Sequence, residues 1–410
     1  MRKIDYYVGI PICLLFSLLH NVSKLILKSD ITLVDPKKIL FIKFFGLGTI
    51  VLASPAVKKC REMYSEADFY FLTFEENKEL LSLLNVTGNI TVLTISSKTF
   101  FGFARDVVKT VHRLQKLHLD VVVDFEFFSR FTSILSFLIR AKYRVGFYNH
   151  FIEGLYRGNL LTHKVLYNHY QHTSVAFLDM IETMRVGDEL PYNKMGCESL
   201  PYLEDAGITF RRTGEETDDF KKKFGLTATD RLVLLNPNIS EGFIDLRRWP
   251  LSHFVQLART LLSEYEDLKI GIIAPLQQMP VAEELTRLID SERIVDIAGK
   301  TTLAELCMLL DHSCFLVTND SGPAHLAALT GTYVITMFGP DTPVLFRPLT
   351  KRSSELFLHL GCSPCGTIYN GKQTVCRDNQ CMKRITPEMV NKIIIAETEC
   401  TPASCARQMM

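Results

Sequence analysis

Short apolar runs alternate with stretches of helical periodicity along most of the chain. Runs of strand length include KILFIKF, DFYFLTF, DVVVDFEFF and KYRVGF in the first half, and LVLLNP, KIGIIAP, RIVDIAG, CFLVTND and YVITMFG in the second. Amphipathic stretches such as IVLASPAVKKCREMY and LSHFVQLARTLL lie between them. This succession predicts parallel sheets covered by helices on both faces.

The alternation is interrupted at residues 196–230, which carry several charges and resemble a link. We therefore predict two Rossmann-like domains, at 38–205 and 228–395, in which ligands bind at the carboxyl ends of the strands. The chain has 410 residues, which is too long for one core and suits two domains of ordinary size.

Residues 1–30 form a separate segment, in which basic residues flank an apolar run from Val8 to Leu19. This run is shorter than the roughly 20 apolar residues of a membrane span, and it contains Pro11. No small-residue cleavage motif follows, which disfavours a secretory signal. We predict a helix lying on a membrane surface, with a helix packed on the protein's own body as the alternative.

Charge and cysteine usage narrow the class of protein. Lys plus Arg (46) balances Asp plus Glu (45), so no basic field is available for a nucleic acid, and nucleic acid is not an expected partner. Eleven cysteines are scattered apart from one cluster, which favours a reducing compartment over a disulfide framework.

A polar cluster joins the apolar run CFLVT to a predicted helix at Pro323–Thr330. Its residues are Asn319, Asp320, Ser321 and Gly322. The first amides of a helix have no intrahelical partner, so a phosphate is a natural ligand there. Asp320 would instead accept hydrogen bonds from sugar hydroxyls.

A second polar loop, NISEGFIDLRRWP, follows the run LVLLNP. Arg247 can grip a pyrophosphate through two parallel hydrogen bonds, and Asn238 and Ser240 add polar groups to the loop. His325 lies one turn into the helix after Asp320 and faces either the ligand or the core.

Together these segments resemble glycosyltransferase family 9, the heptosyltransferase family. NPN, LRRWP, GKTTL at 299–303, TNDSGPAHLAAL and MFGP occur here in the family's order, and the first half agrees more loosely through KILFIKFFGLGTIVLASPAV. The resemblance implies a GT-B fold, with two Rossmann-like domains facing a central cleft. It also implies an inverting transfer of a sugar from a nucleotide-sugar donor, most likely heptose from ADP-heptose.

The resemblance further implies a lipid-linked or cell-surface glycan acceptor, such as lipopolysaccharide core, held mainly by the first domain. A cytoplasmic enzyme, peripheral on the inner face of the cytoplasmic membrane, would meet that acceptor. No cofactor is required by this scheme, although Mg²⁺ could assist the departure of the diphosphate.

The glycine-rich turn GLGT departs from the family at one position. Heptosyltransferases commonly carry an aspartate after the second glycine, as the base that deprotonates the acceptor hydroxyl, whereas this chain has Thr49. A threonine hydroxyl cannot take that proton unaided. Gly46 and Gly48 are expected to allow positive φ angles and close approach of the acceptor.

A carboxylate elsewhere is then needed as the base. Asp124 and Glu126 end a predicted strand and would point the same way, and Glu126 is the preferred candidate. The alternative is structural, because either carboxylate could cap the next helix or pair with Arg130 near the acceptor.

The only cysteine cluster lies at residues 362–381. Its spacing is within the range of structural zinc sites, although reduced structural cysteines explain it equally well. The four candidate ligands are Cys362, Cys365, Cys376 and Cys381.

Two other functions share the predicted fold. A nucleotide-sugar epimerase would act on the donor without an acceptor, and a non-catalytic nucleotide-sugar-binding protein on the membrane surface would show no turnover. Both stay open because a fold does not fix a function.

Overall fold

The computed structural model describes residues 2–26, 35–148, 155–186, 199–211, 219–227, 230–239 and 245–400. The chain divides into two compact units, Met1–Pro201 and Tyr202–Met410. The boundary falls inside the predicted link, and its described part from Tyr202 onward belongs to the second unit.

A parallel sheet forms the centre of the first unit. Its strands are β1 (Lys38–Ile42), β2 (Asp68–Phe74), β3 (Thr91–Ile95), β4 (Val121–Asp124), β5 (Tyr143–Tyr148) and β6 (His163–Leu166). Within the described residues these strands lie in the order β3-β2-β1-β4-β5-β6. This order reverses direction between β1 and β4, and such sheets bind ligands in the crevice at that reversal.

Helices flank this sheet and connect its strands. They are α1 (Arg2–Tyr7), α2 (Gly9–Ile26), α3 (Leu47–Met63), α4 (Lys78–Leu83), α5 (Phe100–Leu117), α6 (Arg130–Leu138) and α7 (Thr173–Val186).

The second unit repeats the same plan. Its strands are β7 (Arg231–Asn236), β8 (Leu268–Ile272), β9 (Ile294–Asp296), β10 (Phe315–Asn319), β11 (Tyr333–Met337) and β12 (Ser353–Leu356). Their order is β12-β11-β10-β7-β8-β9, all parallel, so the reversal lies between β7 and β10.

The helices of the second unit include two very short ones next to the ends of β10 and β11. They are α8 (Asp219–Phe224), α9 (Leu251–Glu264), α10 (Met279–Ile289), α11 (Leu303–His312), α12 (Gly322–Ala327), α13 (Pro343–Phe346), α14 (Gln380–Lys383) and α15 (Pro387–Cys400).

Burial on both faces explains why the central strands are continuous apolar runs. All four residues of β4 and all five of β10 are buried, as a parallel sheet covered by helices requires. The predicted strands thus form, and the fold is α/β with two Rossmann-like units. The sequence analysis missed β6, β12 and α15.

The helix α2 packs one face on the first unit and exposes the other. Cys13 and Ser17 are buried, and the rings of Phe16 and Phe137 of α6 contact each other with centroids 5.4 Å apart. The Ser17 hydroxyl accepts the Asn159 backbone N–H at 2.7 Å. The opposite face exposes Leu14, Leu15, Leu18, Leu19 and Val22. The helix therefore packs on the body of the protein, while its outer face stays apolar.

Among the described residues, one stretch of 18, Asp5–Val22, is long and apolar enough to cross a membrane by length and composition. A core helix or a signal sequence meets the same criterion. The helix α2 is longer than the apolar run that the sequence delimits, because it continues through the polar residues that follow Leu19.

Candidate functional site

Hydrogen-bonded polar side chains line the reversal point of the second sheet. Asn236 ends β7, and its Nδ2 donates to Thr318 Oγ1 and Ser321 Oγ, both at 2.8 Å. Asn319 ends β10, and its Oδ1 accepts the backbone N–H of Trp249 at 2.8 Å. These bonds hold the segments that follow β7 and β10 against each other.

The residue predicted to bind the sugar, Asp320, and the residue predicted to bind the pyrophosphate, Arg247, form an ion pair here. Arg247 Nη1 donates to Asp320 Oδ2 at 2.7 Å, and both side chains are less than 10% exposed. A guanidinium carries five N–H donors in a planar fork, a geometry that suits a phosphate as well as a carboxylate. The pair thus places a carboxylate for hydroxyl groups beside a cation for a diphosphate.

The helix that follows Asp320 contributes less than the sequence suggested. α12 has only six residues, and Ser321 precedes it as an N-cap without a side-chain cap bond. Its first amides still lack intrahelical partners, but so short a helix sums few peptide dipoles. Charge on a ligand must therefore be balanced mainly by side chains.

His325 is buried within α12. Burial lowers its pKa to about 4, and the nearby charge of Asp320 opposes that shift. The imidazole is therefore neutral near pH 7, and its Nδ1 has no hydrogen-bond partner among the described residues. Its role toward a ligand stays a prediction.

The loop after β7 is only partly described. Asn238 is buried, and its Nδ2 donates to the Ile273 carbonyl at 2.9 Å, while its Oδ1 has no partner among the described residues. Ser240 lies outside the described residues. The sequence analysis assigned no role to Asn236 or Trp249, although a polar residue closing a buried apolar run was an available signal for Asn236.

The GKTTL motif has a structural role here. Thr302 is the N-cap of α11 and forms a capping box with Glu305, in which each side chain accepts the other residue's backbone N–H. Gly299 has a φ of 69° and lies close to Met279, whose sulfur would be 2.6 Å from an added Cβ. The motif therefore starts a helix and allows close packing.

In the first unit, Glu126 holds the segment that leaves β1. Its Oε1 accepts the backbone N–H groups of Phe44 at 2.6 Å and Phe45 at 2.8 Å, and it pairs with Lys43 Nζ at 2.9 Å. The side chains of Lys43 and Glu126 are 1% and 4% exposed. All three contacts are made by one oxygen, Oε1, so the carboxylate supports the turn after β1 through that oxygen.

Asp124 is still more enclosed, with no exposed surface. It pairs with the guanidinium of Arg157, and its Oδ1 accepts the Glu126 backbone N–H at 3.0 Å. Burial raises the pKa of Asp124, and the Arg157 charge opposes that rise. Asp124 and Arg157 form a fully buried pair inside the unit.

The predicted alternative, that Asp124 or Glu126 pairs with Arg130, was wrong. Arg130 pairs with Asp5 of α1 at 3.3 Å, and not with Asp124 or Glu126. The next helix, α6, is capped by the Ser129 hydroxyl, and Asp5 Oδ1 accepts the backbone N–H of its second residue at 2.8 Å. The N-terminal segment thereby supplies a cap that the local sequence did not reveal.

The GLGT turn uses its two glycines differently. Gly46 has a φ of 83°, and an added Cβ would lie 2.8 Å from Thr49 Oγ1. Gly48 lies inside α3, so positive φ, expected for both glycines, holds only for Gly46. The Thr49 hydroxyl donates to the carbonyls of Gly46 at 2.7 Å and Phe45 at 2.9 Å. It closes the first turn of the helix.

The four clustered cysteines are free thiols, with Cys362 and Cys376 exposed and Cys381 buried. Burial and the other three thiols raise the pKa of Cys381 to about 11. Among the described residues, no group of three or more His, Cys, Asp or Glu side chains is placed to hold a metal. Structural zinc at these cysteines therefore stays a prediction.

The cysteine-containing segment, residues 362–381, packs against the predicted donor site. The Cys365 backbone N–H donates to the Pro340 carbonyl at 3.0 Å, and Asn379 Nδ2 donates to the Leu246 carbonyl at 2.9 Å. The segment therefore contacts both the end of β11 and the turn that carries Arg247.

Comparison with known proteins identifies the family of this chain. The sequence model of the family described as glycosyltransferase family 9 (heptosyltransferase) matches residues 120–375. Lipooligosaccharide heptosyltransferase 2 of Campylobacter jejuni is 23% identical over 350 residues, which cover 84% of this chain and 94% of the relative.

Two solved structures share the fold. A glycosyl transferase family 9 protein from Veillonella parvula has a TM-score of 0.69 at 18% identity, covering 90% of this chain and 98% of its own. The ADP-heptose lps heptosyltransferase II of E. coli has a TM-score of 0.66 at 18% identity, covering 88% and 98%. The fold is therefore of the GT-B type.

Proposed function

The chain belongs to glycosyltransferase family 9, and from this premise we propose that it is an inverting heptosyltransferase that uses ADP-heptose as donor. The acceptor is a hydroxyl of a lipid-linked glycan such as lipopolysaccharide core. The observation that carries the proposal is the Arg247–Asp320 ion pair at the reversal point of the second sheet. The E. coli structure, named for ADP-heptose, and the C. jejuni relative, named for lipooligosaccharide, support the two substrate classes.

The donor is held by the second unit. The Asp320 carboxylate accepts hydrogen bonds from hydroxyl groups of the heptose. Arg247 binds the diphosphate, together with the backbone amides of Ser321 and Gly322. The acceptor oxygen attacks the anomeric carbon as the bond from that carbon to the phosphate oxygen breaks, and ADP leaves with the electron pair. A single displacement inverts the anomeric centre.

These groups accelerate the reaction because charge grows on the diphosphate as the bond breaks. A guanidinium fixed in a site that excludes water stabilises that charge more strongly than water does. The scheme needs no metal, and a comparison of turnover in Mg²⁺ and in EDTA tests whether a divalent ion assists.

The acceptor proton requires a base, and Thr49 does not supply one. We assign Glu126 to positioning the turn after β1, because its Oε1 accepts two backbone N–H groups of that turn and pairs with the buried Lys43. Gly46 leaves room at that turn for the acceptor.

Calorimetric titration of the full chain in detergent with ADP-heptose tests the donor site, with UDP- and GDP-sugars as controls. We expect Asp320→Asn and Arg247→Gln each to weaken ADP-heptose binding by about 10- to 100-fold, the value of a hydrogen bond to a charged group. Asp267→Asn removes an exposed ion pair with Arg231 and is the matched control. Equal binding by Asp320→Asn and the native protein would contradict the site.

Product analysis tests the reaction itself. ADP release that depends on a lipopolysaccharide-core acceptor, with an inverted anomeric configuration by NMR, supports the transferase. An isomerised sugar nucleotide formed without acceptor would instead identify an epimerase, and donor binding without any turnover would identify a non-catalytic binding protein.

We further propose that α2 attaches the enzyme to the inner face of the cytoplasmic membrane. Its outer face exposes Leu14, Leu15, Leu18 and Leu19, and an apolar helix face of this kind inserts into the headgroup boundary. Attachment brings the first unit to the lipid-linked acceptor.

Flotation with vesicles containing anionic lipid tests this attachment. Leu14 and Leu18 are 55% and 63% exposed, so Leu14→Ser with Leu18→Ser is expected to release the protein from vesicles without changing its melting temperature. The full chain is needed, because removing residues 1–30 would also remove the Asp5 cap of α6. Unchanged flotation of the double variant would refute the assignment.

A further inference from the structure

A second ion pair lies at the end of β11. Asp341 follows the FGP motif, its side chain is 5% exposed, and it pairs with Lys372 of the cysteine-containing segment, which is 18% exposed. The Lys372 ammonium also lies 4.2 Å from the ring centroid of Phe346. Neither Asp341 nor Lys372 has a role in the scheme described so far.

The end of β11, which leads to Asp341, lies beside the end of β10, because the Asp320 backbone N–H donates to the Met337 carbonyl at 3.2 Å. Burial raises the pKa of Asp341 and the Lys372 charge opposes that rise. The charges of Asp320 and Arg247 also act on Asp341, in opposite directions. Lys372 is therefore a second cation beside the predicted diphosphate site, reached from a different part of the chain.

The backbone fixes where Lys372 lies. Upstream of it, the N–H groups of Cys365 and Gly366 both donate to the Pro340 carbonyl, at 3.0 and 2.7 Å. Downstream, Asn379 Nδ2 donates to the carbonyls of Leu246 and Arg248, at 2.9 and 3.0 Å. The segment is thus attached on both sides of Lys372 to the two turns that surround the site.

The negative charge of a bound diphosphate needs a second cation besides Arg247. The diphosphate gains negative charge when its bond to the sugar breaks, α12 is too short to provide a strong dipole, and Arg247 shares its charge with Asp320. We propose that Lys372 is a second diphosphate-binding residue of the donor site, and that Asp341 is the positioning residue that holds it there. This inference rests on the proposed function.

Binding of ADP and of adenosine to the full chain, measured in EDTA, tests the proposal. We expect Lys372→Gln to weaken ADP binding by about 10- to 100-fold and to change adenosine binding less than about 2-fold, because only ADP carries the diphosphate. Lys372→Arg should restore most of the ADP affinity. Lys383→Gln, which breaks an exposed ion pair with Asp378 in the same region, is the matched control.

A double variant separates direct binding from neutralisation of Asp341. Lys372→Gln alone leaves a buried carboxylate unpaired beside the diphosphate, whereas Lys372→Gln with Asp341→Asn removes that charge too. If Lys372 binds the diphosphate, the double variant stays weak for ADP. Recovery of native ADP affinity in the double variant, or no loss in Lys372→Gln, would overturn the inference, whereas a native protein that binds no ADP would overturn the proposed function itself.

Discussion

Glu126 could be a catalytic base or a support for the turn after β1, and breaking its ion pair with Lys43 distinguishes these two roles. Glu126→Gln preserves the shape of the side chain and its oxygen for the backbone N–H groups of Phe44 and Phe45. It leaves the ammonium of Lys43 buried and unpaired, at 1% exposure. The substitution therefore isolates the ionic contribution of one carboxylate.

Breaking a buried ion pair from one side costs about 3–5 kcal/mol. A domain of about 200 residues shifts its melting temperature by about 2–4 °C per kcal/mol, so we expect Glu126→Gln to melt about 6–20 °C lower. Lys43→Met with Glu126→Gln removes both charges and should recover part of that loss, with a coupling energy of about 0.5–3 kcal/mol.

Thermal unfolding and turnover, measured on the same samples, provide the test. In the supporting role, Glu126→Gln loses stability, and the activity of the folded fraction recovers with stability in the double variant. If Glu126 were the catalytic base, kcat would fall by about 10²- to 10⁴-fold in both variants. An unchanged melting temperature in Glu126→Gln, with a kcat loss of that size, would refute our assignment.

Three further predictions concern single sites. The pKa of His325 is about 4 in the folded chain and 6.5, the ordinary value, in the unfolded chain. The free energy of unfolding should therefore fall by up to about 3 kcal/mol as the pH drops from 6.5 to 4. Denaturant unfolding of His325→Gln should show a flatter pH profile. Gly46→Ala should destabilise more than Gly207→Ala in thermal melts, since both have positive φ but only Gly46 would crowd a neighbour. Exposed Cys376 should react rapidly with a thiol reagent while buried Cys60, whose pKa burial raises, stays inert; if Cys376 reacts only after addition of a chelator, a metal is bound.

The sequence predicted the central strands of both sheets because buried parallel strands are apolar on both faces. It missed β6, in which two of four residues are buried, and β12, in which none of the four is buried. Both are edge strands of the described sheets, paired on one side only, with β5 and β11, and their own apolar content does not mark them as strands. Local pattern was therefore insufficient for these two edge strands, whereas the edge strand β9 was recognised from the run RIVDIAG.

The candidate site was predicted residue by residue, but its pairings were not. Arg247 and Asp320 were each assigned to the donor, yet their ion pair joins positions 73 residues apart, and spacing along the chain does not encode such a contact. The partner of Glu126 was also misjudged. A lysine inside the apolar run KILFIKFF was the signal, since a buried ammonium requires a carboxylate nearby.

The two faces of α2 should diverge at different rates among relatives that keep this helix. On the inner face, Cys13 and Ser17 fit against the Gly158 backbone, where an added Cβ would lie 3.1 and 3.0 Å from their side chains, so shape limits substitution. The outer face needs only to remain apolar, and leucine, isoleucine, valine and phenylalanine can replace one another there. An alignment of such relatives would show a conserved stripe and a freely drifting hydrophobic stripe on the same helix.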